Sequence, residues 1–207
     1  MKSIAHRGWS NAYRDNSIDA LKAAVERGYD GIELDVQLCA TGELILHHDL
    51  YIGNHFIADL DYDDIKKHDL CTLEDAYYEI PELSTDLIIL LDIKGSNLSI
   101  VDKLVEFYDT RPTDNVTFCS FNRKIIYSLP HNFMKGSTFE TTFHVSEYSV
   151  ITMGLSAVII HWTCLAHDFI AYCRSKDIDV YTYTHKIDKD LEHMYKYRVS
   201  GIITNGF

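Results

Sequence analysis

Short apolar runs recur along this chain, spaced so that one helix fits between each pair. Runs that are apolar at consecutive positions bury on both faces and read as strands of a parallel sheet. They predict strands over residues 2–6, 31–36, 87–93, 116–120, 135–140, 156–161, 178–183 and 201–204. The stretches between them predict helices over 17–27, 73–79, 98–108, 123–128, 145–152, 164–175 and 189–197. Asn16-Ser17 precedes Ile18-Asp19-Ala20-Leu21, where small polar side chains cap free backbone N–H groups, and Gly28 supplies a stop.

Eight strands alternating with seven helices predict an α/β fold, the (β/α)8 TIM barrel. An open doubly wound sheet would have fewer strands and a glycine-rich first turn, and the segment HRGWSNAY contains no GxGxxG. Residue 207 follows directly on the eighth strand, so a barrel with no closing eighth helix is expected, and residues 1–207 are read as a single domain. Residues 50–70, rich in Asp, His and Tyr, break the alternation and predict a small insertion loop at the barrel mouth, after His48-Asp49.

Composition narrows the classes of function. A hydrophobic share of 46% over 207 residues is enough for one sizeable core. Five scattered cysteines without CxxC spacing argue against a zinc site or a disulfide framework and for reduced thiols. Ser3-Ile4-Ala5 runs straight into His6-Arg7 with no leader, and no apolar stretch reaches the ~20 residues that cross a bilayer. A soluble cytoplasmic protein is therefore expected. The net charge of −12 disfavours nucleic acid as a partner, and it requires any anionic small-molecule substrate to be met by a local positive centre. Oligomeric state is left open.

Candidate chemistry sits where the apolar runs stop. His6-Arg7-Gly8 closes the first run, Glu33-x-Asp35 follows Gly31-Ile32, His48-Asp49 follows Leu44-Ile45-Leu46, and Asp92-x-Lys94 follows Leu87 to Leu91. The C-terminal ends of barrel strands converge on one mouth, which brings these residues together. Three gathered carboxylates stay ionised only if a cation joins them, and an all-oxygen donor set points to one hard divalent ion, Mg2+ or Ca2+. Beside such an ion, Arg7 and Lys94 suit a phosphate, and two histidines supply a base for the nucleophile and an acid for the leaving alkoxide.

These residues carry a family resemblance. His6-Arg7-Gly8, Asp15-Asn16-Ser17, Gly31-Ile32-Glu33-Leu34-Asp35-Val36, Thr41-Gly42, His48-Asp49, Leu91-Asp92-Ile93-Lys94, Ser120-Phe121 and Gly201-Ile202-Ile203-Thr204 stand in the order of the motifs of glycerophosphodiester phosphodiesterases. The resemblance covers nearly the whole chain. It implies a (β/α)8 fold and metal-dependent hydrolysis of glycerophosphodiesters to sn-glycerol 3-phosphate and an alcohol. It also implies Glu33, Asp35 and Asp92 as metal ligands, with Asp15 in a direct or outer position, His6 and His48 as the acid/base pair, and Arg7 and Lys94 on phosphate. The chain departs from the family pattern in having Asp15 and Asp92 where Glu is usual and Asn205 where Asp is usual.

Other features are read more plainly. By strand alternation His47 faces away from His48, Asp49 orients a neighbour or satisfies backbone donors, and His161 and His185 stand at strand ends that line the mouth or set its shape. The acidic residues Asp59, Asp61, Asp63 and Asp64 lack the Gly and terminal Glu of a calcium loop and read as a solvated loop. Two competing functions are a phospholipase D-like enzyme acting on lysolipids or sphingomyelin, and a catalytically weak barrel kept for binding or regulation.

Overall fold

The structure, a computed structural model, describes residues 1–85, 87–186 and 188–206. In chain order it contains β1 (Lys2–His6), α1 (Ile18–Glu26), β2 (Gly31–Leu38), β3 (Leu44–Leu46), β4 (Tyr51–Ile52) and β5 (His55–Phe56). There follow α2 (Tyr62–Ile65), α3 (Leu73–Glu79), β6 (Ile88–Ile93), α4 (Ser99–Tyr108), β7 (Val116–Ser120), α5 (Arg123–Ser128) and β8 (Met134–Phe139). The last elements are α6 (Tyr148–Ile151), β9 (Ala157–His161), α7 (His167–Ser175), β10 (Asp179–His185), α8 (Asp188–Met194) and β11 (Gly201–Thr204).

Eight of the strands pair in parallel in the order β1-β11-β10-β9-β8-β7-β6-β2, and β2 returns to β1 to close the barrel. The closure is tight: a Cβ at Gly31 would lie 2.8 Å from Ile4 Cδ1 on β1. Strand alternation divides the side chains between two cores. Ile32, Leu34, Ile89 and Leu91 pack outward beneath the helices, while Ile4, Leu90, Cys119, Ile159 and Ile203 fill the barrel. Both faces are buried, which is why these strands read as continuous apolar runs. Each fully buried Leu or Ile contributes about 1.5–3 kcal/mol. The predicted cap is observed, with Ser17 accepting from the Ala20 N–H at 3.2 Å, and ahead of α3 Thr72 and Asp75 form a reciprocal capping box.

The structure corrects three expectations. Leu44–Leu46 is not a parallel core strand but an antiparallel partner of β2, in the register Val36↔Leu46 to Leu38↔Leu44. The run is too short to cross the barrel, and the turn before it places Gly42 at φ 100°. Residues 50–70 are more than a solvated loop, for they hold the β4–β5 hairpin and α2 and bury Ile57 and Ile65 against Cys39 and Ile45. Their apolar positions are too few and too irregular to stand out among the aspartates. The helix predicted over 164–175 begins three residues later, as α7, after a 3-10 turn at Trp162–Cys164. Among the described residues no helix is long and apolar enough to cross a membrane.

Candidate active site

The predicted residues converge at the C-terminal ends of β1, β2 and β6. A cavity of about 220 Å³ is lined by His6, Arg7, Glu33, Asp35, His48, Asp92 and Lys94, with Phe121, Thr138, Glu140 and Tyr183 on the opposite wall. Glu33 and Asp35 share the inward face of β2, and Asp92 stands beside Asp35 in the β2–β6 register. All three are buried and offer oxygens within 4.8 Å of one another, a group that can hold a metal ion.

The electrostatics fit that reading. Burial, then the neighbouring Asp35, holds the Glu33 carboxyl well above the ordinary range, and burial likewise raises Asp92. Asp35 goes the other way: burial opposes its charge, but Lys94 and Arg7 outweigh burial and lower its pKa. Lys94 Nζ lies 2.9 Å from Asp35 Oδ1 and also meets Asp92, while Arg7 Nε lies 3.0 Å from Asp35 Oδ2. Asp92 Oδ1 is buried with no hydrogen-bond partner among the described residues. Two basic side chains thus share three buried carboxylates, which leaves this pocket floor acidic and able to hold a metal ion.

A strained turn aims Arg7. The residue adopts φ 60° and Gly8 φ 79°. The Arg7 N–H donates to the Glu33 carbonyl at 2.9 Å and to Glu33 Oε2 at 3.1 Å. Glycine is required at position 8, where a Cβ would come within 2.5 Å of the Ala20 backbone. Asp15 stands outside the acidic trio and accepts from Arg7 Nη1 at 2.7 Å.

The two histidines face the cavity from opposite supports. His6 Nδ1 lies 2.6 Å from Asn205 Oδ1, and because an amide oxygen only accepts, Nδ1 is the donor and Nε2 is left to accept. Burial, then the charge of Arg7, lowers the His6 pKa to about 4. His48 sits beyond β3 and lies 2.8 Å from Asp49 Oδ1 through Nδ1, so Asp49 does orient a neighbour. The segment is tied down by Gln37, whose Nε2 donates to the carbonyls of His47 and Asp49 at 2.7 and 2.6 Å.

Sequence reasoning missed four residues around this site. Asn16 is a buried bracket: its Nδ2 donates to Asp35 Oδ2 at 2.8 Å and its Oδ1 accepts from the Asp35 N–H at 3.1 Å. The adjacent cap at Ser17 masked that role. Gln37 was hidden inside a strand. Thr138 and Glu140 close the fifth predicted strand, and the same end-of-run signal that singled out His6 and Asp92 marks them too. Neither His161 nor His185 lines the cavity. His161 turns to Thr163 Oγ1 at 2.7 Å, and His185 is fully buried with its Nε2 2.8 Å from Thr182 Oγ1.

Comparison with known proteins agrees with this geometry. The glycerophosphoryl diester phosphodiesterase family model matches residues 6–206. A glycerophosphodiester phosphodiesterase of Caldanaerobacter subterraneus subsp. tengcongensis is 28% identical, over 98% of this chain and 93% of the relative. Among solved structures, a glycerophosphodiester phosphodiesterase from Thermotoga maritima superposes with a TM-score of 0.87 at 21% identity, covering 99% of this chain and 94% of that one. An Oleispira antarctica phosphodiesterase, solved with the product sn-glycerol-3-phosphate, also gives a TM-score of 0.87 at 18% identity, covering 99% and 93%. With the motifs in order, the barrel closed and the acidic trio at its mouth, the chain belongs to the glycerophosphoryl diester phosphodiesterase family of phosphoric diester hydrolases.

Proposed function

We propose that this protein hydrolyses glycerophosphodiesters to sn-glycerol 3-phosphate and an alcohol, with a divalent ion, Mg2+ or Ca2+, held by Glu33, Asp35 and Asp92. The observation that carries this reading is one cavity containing that trio, Arg7, Lys94 and two differently supported histidines. When bound, the ion supplies Lewis acidity to a phosphoryl oxygen and neutralises the gathered carboxylates. Arg7 and Lys94 contact the remaining phosphate oxygens, with Asp15 and Asp35 holding the guanidinium in place.

The histidines divide the proton transfers. His6, neutral and with Nε2 unprotonated 3.9 Å from Glu33 Oε2, takes the proton from the nucleophile, which is either the glycerol 2-hydroxyl or a water. His48, with Nδ1 engaged by Asp49, delivers a proton from Nε2 to the departing alkoxide. Attack by the 2-hydroxyl gains from intramolecular proximity and forms a cyclic phosphate that water then opens.

The test is release of glycerol 3-phosphate from glycerophosphocholine and glycerophosphoethanolamine by the purified protein, first in EDTA and then with Mg2+, Ca2+ or Mn2+ restored. Metal-restored turnover is expected. No product with any of the three ions would overturn the assignment.

A further inference from the structure

Glu33, Asp35 and Gln37 occupy alternate positions of β2, so their side chains leave the strand on one face. The first two belong to the acidic trio. Gln37 is uncharged, only 5% exposed and absent from the lining of the cavity, and its amide turns to the chain beyond β3.

That stretch of chain has little else to hold it. β3 ends at Leu46, and its bonding to β2 stops one residue later, where the His47 N–H donates to the Asp35 carbonyl at 3.1 Å. Among the described residues, no backbone–backbone hydrogen bond then engages His48 or Asp49. Their side chains are 42% and 62% exposed, so packing does little to fix them. Gln37 supplies what the ladder lacks, since Nε2 donates to the His47 carbonyl at 2.7 Å and to the Asp49 carbonyl at 2.6 Å. Both neighbours are carbonyl oxygens, which only accept, so the nitrogen end of the amide must face them. One buried side chain clamps the residues on either side of His48.

The clamp bears on the proton that His48 delivers. A proton donor must stand within hydrogen-bond reach of the leaving oxygen, and a misplacement of about 1 Å costs roughly 10²-fold. Gln37 acts on the imidazole twice, through the main chain before it and through Asp49, whose Oδ1 lies 2.8 Å from His48 Nδ1. Because Glu33 and Asp35 share its strand face, the same amide sets the donor at a fixed span from the acidic trio.

We infer that Gln37 is the positioning residue of the proton donor, holding His48 where the leaving alkoxide departs. This rests on the diesterase reading above and on His48 as its acid. The consequence is selective: loss of the clamp slows departure of a basic alkoxide, which needs the proton, and spares a leaving group that departs as a stable anion.

The test compares glycerophosphoethanolamine with the p-nitrophenyl ester of glycerol 3-phosphate, whose p-nitrophenolate leaves without a proton. The readout is kcat/KM, which reports the steps up to departure of the leaving group. Gln37→Met keeps the length of the side chain and removes the donor, and Gln37→Glu sets oxygen against both carbonyls. Each should lower kcat/KM roughly 10–100-fold on the ethanolamine diester and leave the p-nitrophenyl diester nearly unchanged. Turnover of the latter shows that the variants are folded. His48→Ala should give the same pattern more strongly, and Gln37→Met should add nothing to it in the double variant.

Equal losses on both diesters would overturn the inference, by making Gln37 a general support of the fold. Unchanged turnover of both would overturn it as well. Should His48→Ala lose equally on the two diesters, the proton-donor role would fall and the inference with it. Wild-type protein that turns over neither diester would overturn the diesterase reading itself, a distinct outcome.

Discussion

The side-chain oxygen of Asn205 lies 2.6 Å from Nδ1 of His6, across 199 residues of chain. The contact exists because β1 and β11 are neighbours in the barrel, in the register Ala5↔Thr204. It selects one tautomer of His6. Asn205→Ala should therefore lower kcat roughly tenfold, the effect of losing one orienting hydrogen bond, with little change in KM. Asn205→Asp keeps an acceptor and should restore much of the loss. Steady-state kinetics on glycerophosphoethanolamine check this, and equal damage from both substitutions would count against an orienting role.

The acidic trio links metal binding to stability. An ion that binds only the folded chain stabilises it by about 2.7 kcal/mol at a hundredfold excess over its Kd, or roughly 5–10 °C in Tm for a domain of this size. Thermal melts with and without Mg2+ or Ca2+ should show that increase, and Asp92→Asn should lose most of it. An identical metal-induced shift in Asp92→Asn would remove Asp92 from the ligand set.

His48 is partly exposed and packs little of the fold, with a side chain at 42% exposure. His48→Ala should cost roughly 10²–10⁴-fold in kcat, the range for a lost general acid, while leaving the melting curve nearly unchanged. The two readouts together separate catalysis from folding. Full turnover in the variant would exclude His48 as the proton donor.

The His185 pKa is lowered from 6.5 to about 4, first by burial, with Asp190 opposing and His161 reinforcing the shift. Between those values the unfolded chain binds a proton that the folded chain refuses. The His185 contribution is thus intact above pH ~6.5 and is lost as pH falls toward ~4. The drop in Tm between about pH 7 and pH 5 should be smaller in His185→Gln than in wild type. Equal drops would show that other groups dominate acid lability.

The barrel was legible because its strands are buried on both faces, which leaves a plain mark such as Ile89 to Leu91 in the composition of each run. The trio and both histidines were legible because polar residues interrupt those runs at their ends. What stayed hidden depends on contacts the chain order does not encode. Asn16 reads as a helix cap until Asp35 is placed against it, and Gln37 reads as an ordinary strand residue until β3 folds back over β2. The satellite core of residues 50–70 rests on Ile57 and Ile65 meeting Cys39 and Ile45, and no local period announces it.

The seam between β1 and β11 has a temporal consequence. His6 leaves the ribosome long before the strand that aligns it. The acidic trio on β2 and β6 is synthesised while His6 still lacks its acceptor. In the proposed mechanism, catalytic competence therefore arrives in one step, when β11 closes the barrel and brings Asn205 to His6.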